Sequence, residues 1–278
     1  MDFHKYQALG NDYIVIDPKV LTTDLTPEQI IRICHPHLGV GSDGILVGPY
    51  KSERADFGLR LFNPDGGEFE KSGNGLRIFC RYLWDQKLVG QEEFSIDTPG
   101  GVVQAQVSAN GRRVRVEMGQ VSFDSTRIPV AGPPREVLNE TLTVNGADYR
   151  YCAATIGNPH CVVVPDRVSA ELAHAVGPAF ETAPRFPNRT NVQFLEIIDR
   201  HNIRIEIWER GVGYTLASGS SSCAAAAVAR RLGYCNDQIT VHCAGGDIEI
   251  SIADDWSVTM AGAVTKVCTG QLATEAFD

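Results

Sequence analysis

The sequence lacks the features that mark several common protein classes. No apolar run approaches the ~20 residues needed to cross a bilayer. The first residues, MDFHKYQALGNDYIVID, contain no basic segment followed by an apolar one. Basic residues are also few, because 25 Lys and Arg stand against 34 Asp and Glu and give a net charge of −9. That charge repels phosphate backbones and anionic lipid headgroups. We therefore expect a cytoplasmic protein without a signal peptide that binds neither nucleic acid nor membranes.

The eight cysteines include no C-x-x-C pair, which is the spacing of zinc ribbons and dithiol redox centres. A reducing compartment also argues against disulfides, so we expect mostly buried free thiols. The pair His35 and His37 has no cluster of carboxylates nearby, and we interpret it as a turn after a helix. The sequence therefore predicts no metal site.

The segment Gly39–Gly44 satisfies the G-x-G-x-x-G pattern of dinucleotide-binding proteins. In those proteins the pattern follows a strand and opens a helix. Here it follows a predicted helix that starts at Thr26-Pro27, and it precedes the apolar run Ile45–Val47. We therefore expect no nucleotide cofactor.

Three landmarks recur in order along the 278 residues, 146 or 147 positions apart. Two of them are a Gly-Asn turn before an apolar strand and a strand of alternating apolar and polar residues; the third is a Ser-Gly pair. Each Ser-Gly pair opens a predicted helix, Asn74–Trp84 in the first half and Ser220–Leu232 in the second. The repeats are Gly10–Ile16 with Gly157–Val163, Leu59–Asn63 with Ile205–Glu209, and Ser72-Gly73 with Ser218-Gly219. Such self-similarity indicates two halves of similar structure.

Short strands bounded by Gly, Pro and Asn fill most of the remaining chain. Examples are 94–98, 102–107, 113–118, 239–243 and 248–252. We predict an α+β protein of two pseudo-symmetric domains, each a curved, mostly antiparallel, barrel-like sheet around a central helix. The first domain is residues 1–119 with 265–278, and the second is 120–264. A pair of this kind brings equivalent loops to a cleft, the usual place for a small-molecule site.

The two Ser-Gly helix starts are the candidate chemistry at that cleft. The N-terminus of a helix offers unpaired N–H groups and a partial positive charge, which suit a carboxylate. Two such termini, each led by a residue that exchanges a proton, match the needs of inversion at a carbon next to a carboxylate. Serine is also among the best N-cap residues, so one serine alone is consistent with a structural role. The repeat favours the functional interpretation.

Six motifs in order resemble the diaminopimelate epimerase family, and together they cover nearly the whole chain. They are Gly10–Tyr13, Gly39–Gly44, Asn63–Arg77, Gly157–His160, Thr190–Val192 and Glu209–Gly219. The resemblance implies the diaminopimelate epimerase-like fold and an amino-acid epimerase or racemase that uses neither pyridoxal phosphate nor another cofactor. It implies conversion of LL- to meso-diaminopimelate, a precursor of lysine and peptidoglycan. We leave a homodimer open as the assembly.

The resemblance also implies the site residues. It assigns polar recognition of the substrate to Asn11, Asn63, Asn158, Asn191, Glu209 and Arg210. It assigns binding of the α-carboxylate to the amides at Gly73, Asn74, Gly219 and Ser220. It gives His160 and Glu209 catalytic roles, polarising the reacting centre and ordering the amino group. A zwitterionic substrate needs such carboxylate, guanidinium and amide partners. Without the resemblance, each Asn is equally well explained as a turn residue.

In the family the two proton-transferring residues are cysteines, and they align with Ser72 and Ser218. A thiol with a pKa near ~8.5 can be poised at a helix N-terminus, whereas a hydroxyl is a far weaker acid. If a hydroxyl lies roughly five pKa units higher, the penalty is about 7 kcal/mol, or on the order of 10⁵ in rate. Cys80 and Cys223 lie too far along or around their helices to replace the missing thiols.

Three explanations of the serine pair remain open. The first is an engineered protein in which serines were introduced to trap the substrate. The second is an active epimerase or related isomerase whose serines are helped by His160, Glu209 or Lys71. The third is a protein whose pocket binds an amino acid with little turnover. Ser221 replaces a glycine usual in the family, and serine replaces one cysteine in some proline-racemase-like proteins. Both observations favour a natural serine variant. A non-enzymatic interaction module is the alternative from another class, and the side chain of the substrate is not determined.

Overall fold

The computed structural model describes residues 1–70 and 72–277. The chain folds into two compact units. The first contains residues 1–117 together with the segment from Ala261 onward, and the second is Met118–Met260. The sequence placed both boundaries a few residues further along the chain. Each unit mixes strands and helices, as expected for the α+β class.

The first unit contains two helices and a sheet of strands. The helices are α1 (Pro27–Cys34) and α2 (Gly73–Asp85). The strands are β1 (Asp2–Ala8), β2 (Asn11–Ile16), β3 (Ile45–Tyr50), β4 (Phe57–Phe62), β5 (Phe94–Thr98), β6 (Gly101–Val107), β7 (Arg113–Gln120) and β17 (Thr265–Gln271). Strand β7 runs across the boundary of the unit. Short 3₁₀ turns lie at Pro18–Val20 and Thr274–Phe277.

The first sheet winds around α2. Strands β2 and β3 pair in parallel, as do β4 and β5, and the pairs β1–β17, β1–β2, β3–β4, β5–β6 and β6–β7 are antiparallel. Helix α2 contacts β1, β2, β3 and β6, and its residues from Asn74 to Cys80 are all buried. A helix buried over this much of its surface lies inside a sheet.

The second unit also contains two helices, α3 (Ala170–Glu181) and α4 (Gly219–Arg231). Its strands are β8 (Glu140–Val144), β9 (Ala147–Thr155), β10 (Pro159–Val163), β11 (Asn191–Ile197), β12 (Asn202–Glu209), β13 (Gly213–Thr215), β14 (Gln238–Cys243), β15 (Gly246–Ile252) and β16 (Ser257–Ala263). Strand β16 runs across the second boundary. Helix α4 contacts β9, β10, β11, β12, β14 and β15, and its alanines are fully buried.

The order of pairing repeats between the units. From β1 to β6 the successive pairs are antiparallel, parallel, antiparallel, parallel and antiparallel. The pairs β9–β10, β10–β11, β11–β12, β12–β14 and β14–β15 follow the same order. In both units one helix precedes the third strand of this series and the other follows the fourth. The predicted pseudo-symmetry is therefore present in the topology.

Helix α3 corrects the sequence analysis, which expected short strands over that region. Ser169 caps it by accepting a hydrogen bond from Leu172 N at 3.2 Å, and Phe180 is buried in the core of the second unit. The pattern was missed because Gly177 and Pro178 stand inside the helix, and both residues are poor helix formers. Packing overrides that propensity here.

The remaining expectations concern thiols and membranes. All eight cysteines are free; six are buried, Cys243 is half-buried and Cys268 is exposed, so the expectation of mostly buried thiols is confirmed. Within the described ranges no helix is both long and apolar enough to span a bilayer.

Candidate active site

Helix α4 begins directly after Ser218, which is its N-terminal cap residue. Ser218 is buried, and its side chain makes no hydrogen bond to the amides of its own helix. The hydroxyl instead lies close enough to the carboxyl of Glu209, at the end of β12, to lower the pKa of that carboxyl. Serine at this position usually satisfies a helix amide. Here the hydroxyl lies next to a carboxyl group instead.

The Glu209 carboxyl is shifted in the direction that suits proton transfer. Burial raises its pKa, and the hydrogen bond from Ser218 opposes that shift. A raised pKa brings a carboxyl group closer to neutrality, where it can take up and return a proton. Perturbed carboxyl groups of this kind are typical of functional sites. Proton transfer between Glu209 and Ser218 stays a prediction.

His160 lies on β10 and is fully buried. Its Nδ1 accepts a hydrogen bond from Gln193 Nε2 at 3.1 Å, and its Nε2 donates to Asn158 Oδ1 at 2.9 Å. These contacts assign the ring proton to Nε2. Burial lowers the pKa of the imidazole to about 3, so the ring is neutral near pH 7. Its catalytic role stays a prediction, and the geometry favours orientation of Asn158.

Two side-chain amides link His160 to the first turn of α4. Asn158 Nδ2 donates to Ser220 Oγ at 3.4 Å, and Gln193 Nε2 donates to Ser221 Oγ at 3.0 Å. Gln193 and Ser221 are fully buried. The start of α4 is thereby tied to β10 and β11, which fixes the direction of the amides that point out of its N-terminus.

Asn191 supports the turn that carries Arg210. Asn191 Nδ2 donates to the Pro159 carbonyl at 2.9 Å, and its Oδ1 accepts from Arg210 N at 3.0 Å. Arg210 itself is exposed, and its Nη1 donates to the Asn188 carbonyl at 3.2 Å. Both polar atoms of the Asn191 side chain thus serve the backbone of the protein. Direct recognition of the substrate by Asn191 stays a prediction.

In the first unit, Ser72 caps α2 in the usual manner. Its Oγ accepts from Gly75 N at 3.0 Å, and Tyr13 Oη donates to the same oxygen at 3.4 Å. The side chain is half-buried. Ser72 therefore contributes to its own helix, unlike Ser218. The neighbouring Lys71, considered above as a helper, lies outside the described residues.

A chain of hydrogen bonds fixes the start of α2. Asn11 Nδ2 donates to Asp43 Oδ2 at 2.9 Å, and Asn11 Oδ1 accepts from Asn74 Nδ2 at 3.2 Å. Asn74 Oδ1 in turn accepts from Arg77 Nη2 at 2.8 Å, and Arg77 is fully buried beneath Gly262. The amides of Gly73 and Asn74 belong to the first helical turn, where amides point out along the axis.

Asn63 follows β4 and is exposed. Its N donates to the Gly67 carbonyl at 2.8 Å, and its carbonyl accepts from Gly66 N at 3.0 Å. Gly66 has a φ of +87°, and a Cβ there would lie 2.8 Å from Pro27 Cβ, so this turn requires glycine. In the repeat, Asn63 stands where the second unit has Glu209. The first unit therefore carries an amide at the position of the buried carboxyl.

The hydrogen bonds of the two units repeat together with the motifs. In each unit the asparagine of the Gly-Asn turn contacts the side chain two residues after the serine. The pair is Asn11 with Asn74 in the first unit and Asn158 with Ser220 in the second. The structure thus brings the asparagine of the turn to the start of the helix within each unit. The arrangement of the two serines on opposite faces of one substrate stays a prediction.

Three supporting side chains were not singled out in the sequence: Tyr13, Gln193 and Glu181. Tyr13 and Gln193 are polar groups in strands that are otherwise apolar, and a polar residue in such a strand usually signals an internal hydrogen bond. Glu181 gave no comparable signal, because helix α3 was not predicted.

The two motifs set aside in the sequence take other roles. Gly39–Gly44 lies between α1 and β3 and opens no helix. His35 and His37 lie in the turn after α1, where His35 Nδ1 accepts from His37 N at 3.1 Å. Within residues 1–70 and 72–277, no group of three or more His, Cys, Asp or Glu side chains is arranged to hold a metal ion.

The fold of this chain is shared with a solved racemase. A probable proline racemase from Agrobacterium radiobacter K84, solved with bound carbonate, superimposes with a TM-score of 0.70 and 16% sequence identity. The match covers 100% of this chain and 94% of that one. The likeness shows that the two proteins have the same α+β fold.

The family follows from sequence. The diaminopimelate epimerase family model matches residues 3–123 and 152–267. Diaminopimelate epimerase 2 of Nostoc sp. (strain PCC 7120) is 57% identical over 100% of this chain and 97% of its own length. The diaminopimelate epimerase of Moorella thermoacetica is 40% identical over 97% and 98%. The chain belongs to the diaminopimelate epimerase family, and it is an isomerase of the epimerase and racemase class.

Proposed function

We propose that this protein epimerises diaminopimelate, interconverting the LL and meso forms without a cofactor, with Ser72 and Ser218 at the two acid/base positions. The observation that carries the proposal is the proximity of the Ser218 hydroxyl, at the start of α4, to the half-buried carboxyl of Glu209. It joins a proton acceptor to a helix N-terminus suited to a carboxylate. The relatives named above, which are diaminopimelate epimerases, supply the substrate.

Glu209 acts through Ser218 in the proposed reaction. The α-carbon loses its proton to Ser218 Oγ while the hydroxyl proton of Ser218 passes to the Glu209 carboxylate. The electron pair of the broken C–H bond stays on the substrate, delocalised into its α-carboxylate. Because burial raises the pKa of Glu209, this carboxylate is a stronger base than an exposed one.

The helix starts stabilise the negative charge that develops on the substrate carboxylate. Amides at Gly73 and Asn74 in one unit, and at Gly219 and Ser220 in the other, are the proposed donors. Fixed donors aimed at developing charge lower the barrier most where water is excluded. His160 contributes through Asn158, which it holds against Ser220.

Ser72 delivers a proton to the opposite face of the carbon, and the proton it loses is replaced from water. A hydroxyl is a weaker acid than the thiol it replaces, so turnover is slower than in a cysteine-containing relative. We propose a cytoplasmic enzyme of lysine and peptidoglycan precursor synthesis. Assembly as a homodimer stays a prediction.

The test is incubation of the protein with LL- and meso-diaminopimelate in D₂O. We expect uptake of one deuterium at the α-carbon by mass spectrometry and conversion of one stereoisomer into the other by chiral chromatography. Glu209→Gln serves as the control, in which we expect exchange to be slower but still measurable. Binding of diaminopimelate by calorimetry with no deuterium uptake would reduce the function to amino-acid binding. Exchange of a different amino acid, with none of diaminopimelate, would replace the substrate.

A further inference from the structure

A buried carboxylate on α3 holds the segment that carries Glu209. Glu181 is the last residue of α3, and only 4% of it is exposed. Its carboxylate accepts hydrogen bonds from Trp208 Nε1 at 2.7 Å, from Gly211 N at 2.7 Å and from the Arg189 guanidinium. Trp208 and Gly211 flank the Glu209-Arg210 pair. One carboxylate thus anchors the chain on both sides of the proposed catalytic carboxyl.

The rest of α3 is shaped for the same contact. A Cβ at Gly177 would lie 2.7 Å from Trp208 Cγ, so glycine is what allows the indole to lie against the helix. The His174 ring stacks on Tyr214 at 4.6 Å and meets Trp208 edge-on at 6.1 Å between centroids. Successive turns of α3 therefore support the hairpin of β12 and β13.

The turn itself has little freedom between these anchors. Val212 N donates to the Glu209 carbonyl at 3.1 Å, and Gly211 adopts a φ of +79°. Arg210 N is held by Asn191 Oδ1 at 3.0 Å. The backbone of Glu209 is thus held by the Trp208 indole on one side and by the amides of Arg210 and Gly211 on the other.

We propose that Glu181 is the positioning residue that keeps the Glu209 carboxylate within reach of the Ser218 hydroxyl. The proposal rests on the proposed function, since it gives Glu209 its role. Glu181 does not touch the reacting atoms and acts through the Trp208 and Gly211 anchors. A displacement of about 1 Å at a reacting group is enough to cost on the order of 10²-fold in rate.

The test variant is Glu181→Gln, which preserves shape and removes the charge. The NH₂ group of the new amide would face one of the N–H groups from which the Glu181 carboxylate now accepts a hydrogen bond. The matched control is Glu140→Gln in the same unit, because Glu140 also binds a guanidinium and another donor: Arg135 Nη2 and Tyr151 Oη lie 2.9 Å from its Oε2. A loss that merely follows loosening of the second unit would appear in both variants.

We expect the rate of α-hydrogen exchange at saturating substrate to fall ~10- to 100-fold in Glu181→Gln and to stay within about twofold in Glu140→Gln. In a Glu209→Gln background, Glu181→Gln is expected to cause no further loss, because the group it positions is already gone. An unchanged rate in Glu181→Gln, or an equal loss in the Glu209→Gln background, would overturn the proposal.

A second measurement is independent of turnover. The carbon-13 signal of the Glu209 carboxyl is titrated by NMR in the wild type, Glu181→Gln and Trp208→Phe. We expect the Glu209 pKa to fall toward that of an exposed carboxyl in both variants, because a loosened side chain becomes hydrated, and this outweighs the opposite effect of losing Ser218. Identical titrations would overturn the positioning role. A wild type that exchanges no α-hydrogen removes the proposed function, and the titration still decides the role of Glu181.

Discussion

The Ser218 hydroxyl lies against the carboxyl of Glu209, whereas Ser72 Oγ accepts a hydrogen bond from the Gly75 amide of its own helix. The two serines occupy equivalent positions in the repeat, yet Ser218 lies against a carboxyl group whereas Ser72 contacts the Tyr13 hydroxyl. Asn63 stands where the first unit would carry the counterpart of Glu209, and an amide does not titrate. The surroundings of the two serines within their own units are therefore unequal.

This inequality predicts unequal exchange of the two stereoisomers. When Ser218 receives the α-hydrogen, we expect the rate of exchange with solvent to exceed the rate of inversion. The reason is that Glu209 returns a solvent-derived proton faster than Ser72 delivers one. When Ser72 receives the hydrogen, exchange without inversion is expected to be the slower process. The measurement is deuterium uptake in unreacted substrate against deuterium in inverted product, starting from each stereoisomer. Equal ratios from both directions would show that the two serines act alike.

Cysteine at both serine positions is expected to accelerate exchange. A thiol ionises far more readily than a hydroxyl, so the double variant Ser72→Cys/Ser218→Cys is expected to raise the rate of diaminopimelate exchange by up to ~10⁵-fold. Ser169→Cys, at the cap of α3, is the control and should leave the rate unchanged. No acceleration in the double variant would mean that the pocket serves a different substrate.

The repeat in the sequence predicted those parts of the candidate site that occur in both halves. Because Asn11 and Asn158 stand at equivalent positions, the sequence placed both near the helix starts, and each does contact the residue two after its serine. The strand Phe94–Thr98 and the two long helices also follow from local pattern, since their apolar positions are regularly spaced.

What the sequence did not reveal depends on tertiary contacts. The spacing of residues in the sequence does not indicate that Ser218 interacts with Glu209 and not with its own helix, because the Ser-Gly pair predicts an N-cap in both halves. Helix α3 was missed at Gly177, where the glycine is required by the Trp208 ring and weakens the helical pattern. The roles of Glu181 and Gln193 follow from burial that only the folded chain creates.

The cap function of Ser72 predicts a stability difference between the serines. Ser72→Ala removes the acceptor of the Gly75 amide and is expected to lower the free energy of unfolding by about 1 kcal/mol. Ser169→Ala, which removes the acceptor of the Leu172 amide, is the matched control with a similar loss. Ser218→Ala removes no cap bond, so its helix should lose less. Urea titration of the three variants measures this, and an equal loss at Ser218 would contradict it.

The half-buried carboxyl of Glu209 predicts a stability cost that grows with pH. Its pKa is raised in the folded state, so its contribution to folding is fully present below the usual carboxyl pKa and is lost as the pH rises through the folded value. Relative to wild type, Glu209→Gln should therefore be more stable at pH 8 than at pH 4. Urea unfolding at both pH values measures the gap.

Glu140→Gln is the control of opposite sign. The hydrogen bond from Arg135 is the main cause that lowers the pKa of Glu140, so its contribution is present above the usual carboxyl pKa and lost as the pH falls through the folded value. Relative to wild type, the free energy of unfolding of Glu140→Gln should therefore be lower at pH 8 than at pH 4. A shift in the same direction for both variants would contradict the raised pKa of Glu209.

The fully buried imidazole of His160 predicts a loss of stability in mild acid. Its pKa is lowered from 6.5 to about 3 by burial, so the unfolded chain binds a proton that the folded chain refuses between these values. The stability it contributes is complete above pH 6.5 and is lost as the pH falls toward 3. At pH 5 the loss relative to pH 7 is about 2 kcal/mol, from 1.36 kcal/mol per pKa unit. His160→Gln retains a neutral side chain at both pH values. We therefore expect its difference from wild type in urea unfolding to shrink by about that amount, whereas parallel losses in the two proteins would show that the acid sensitivity arises elsewhere.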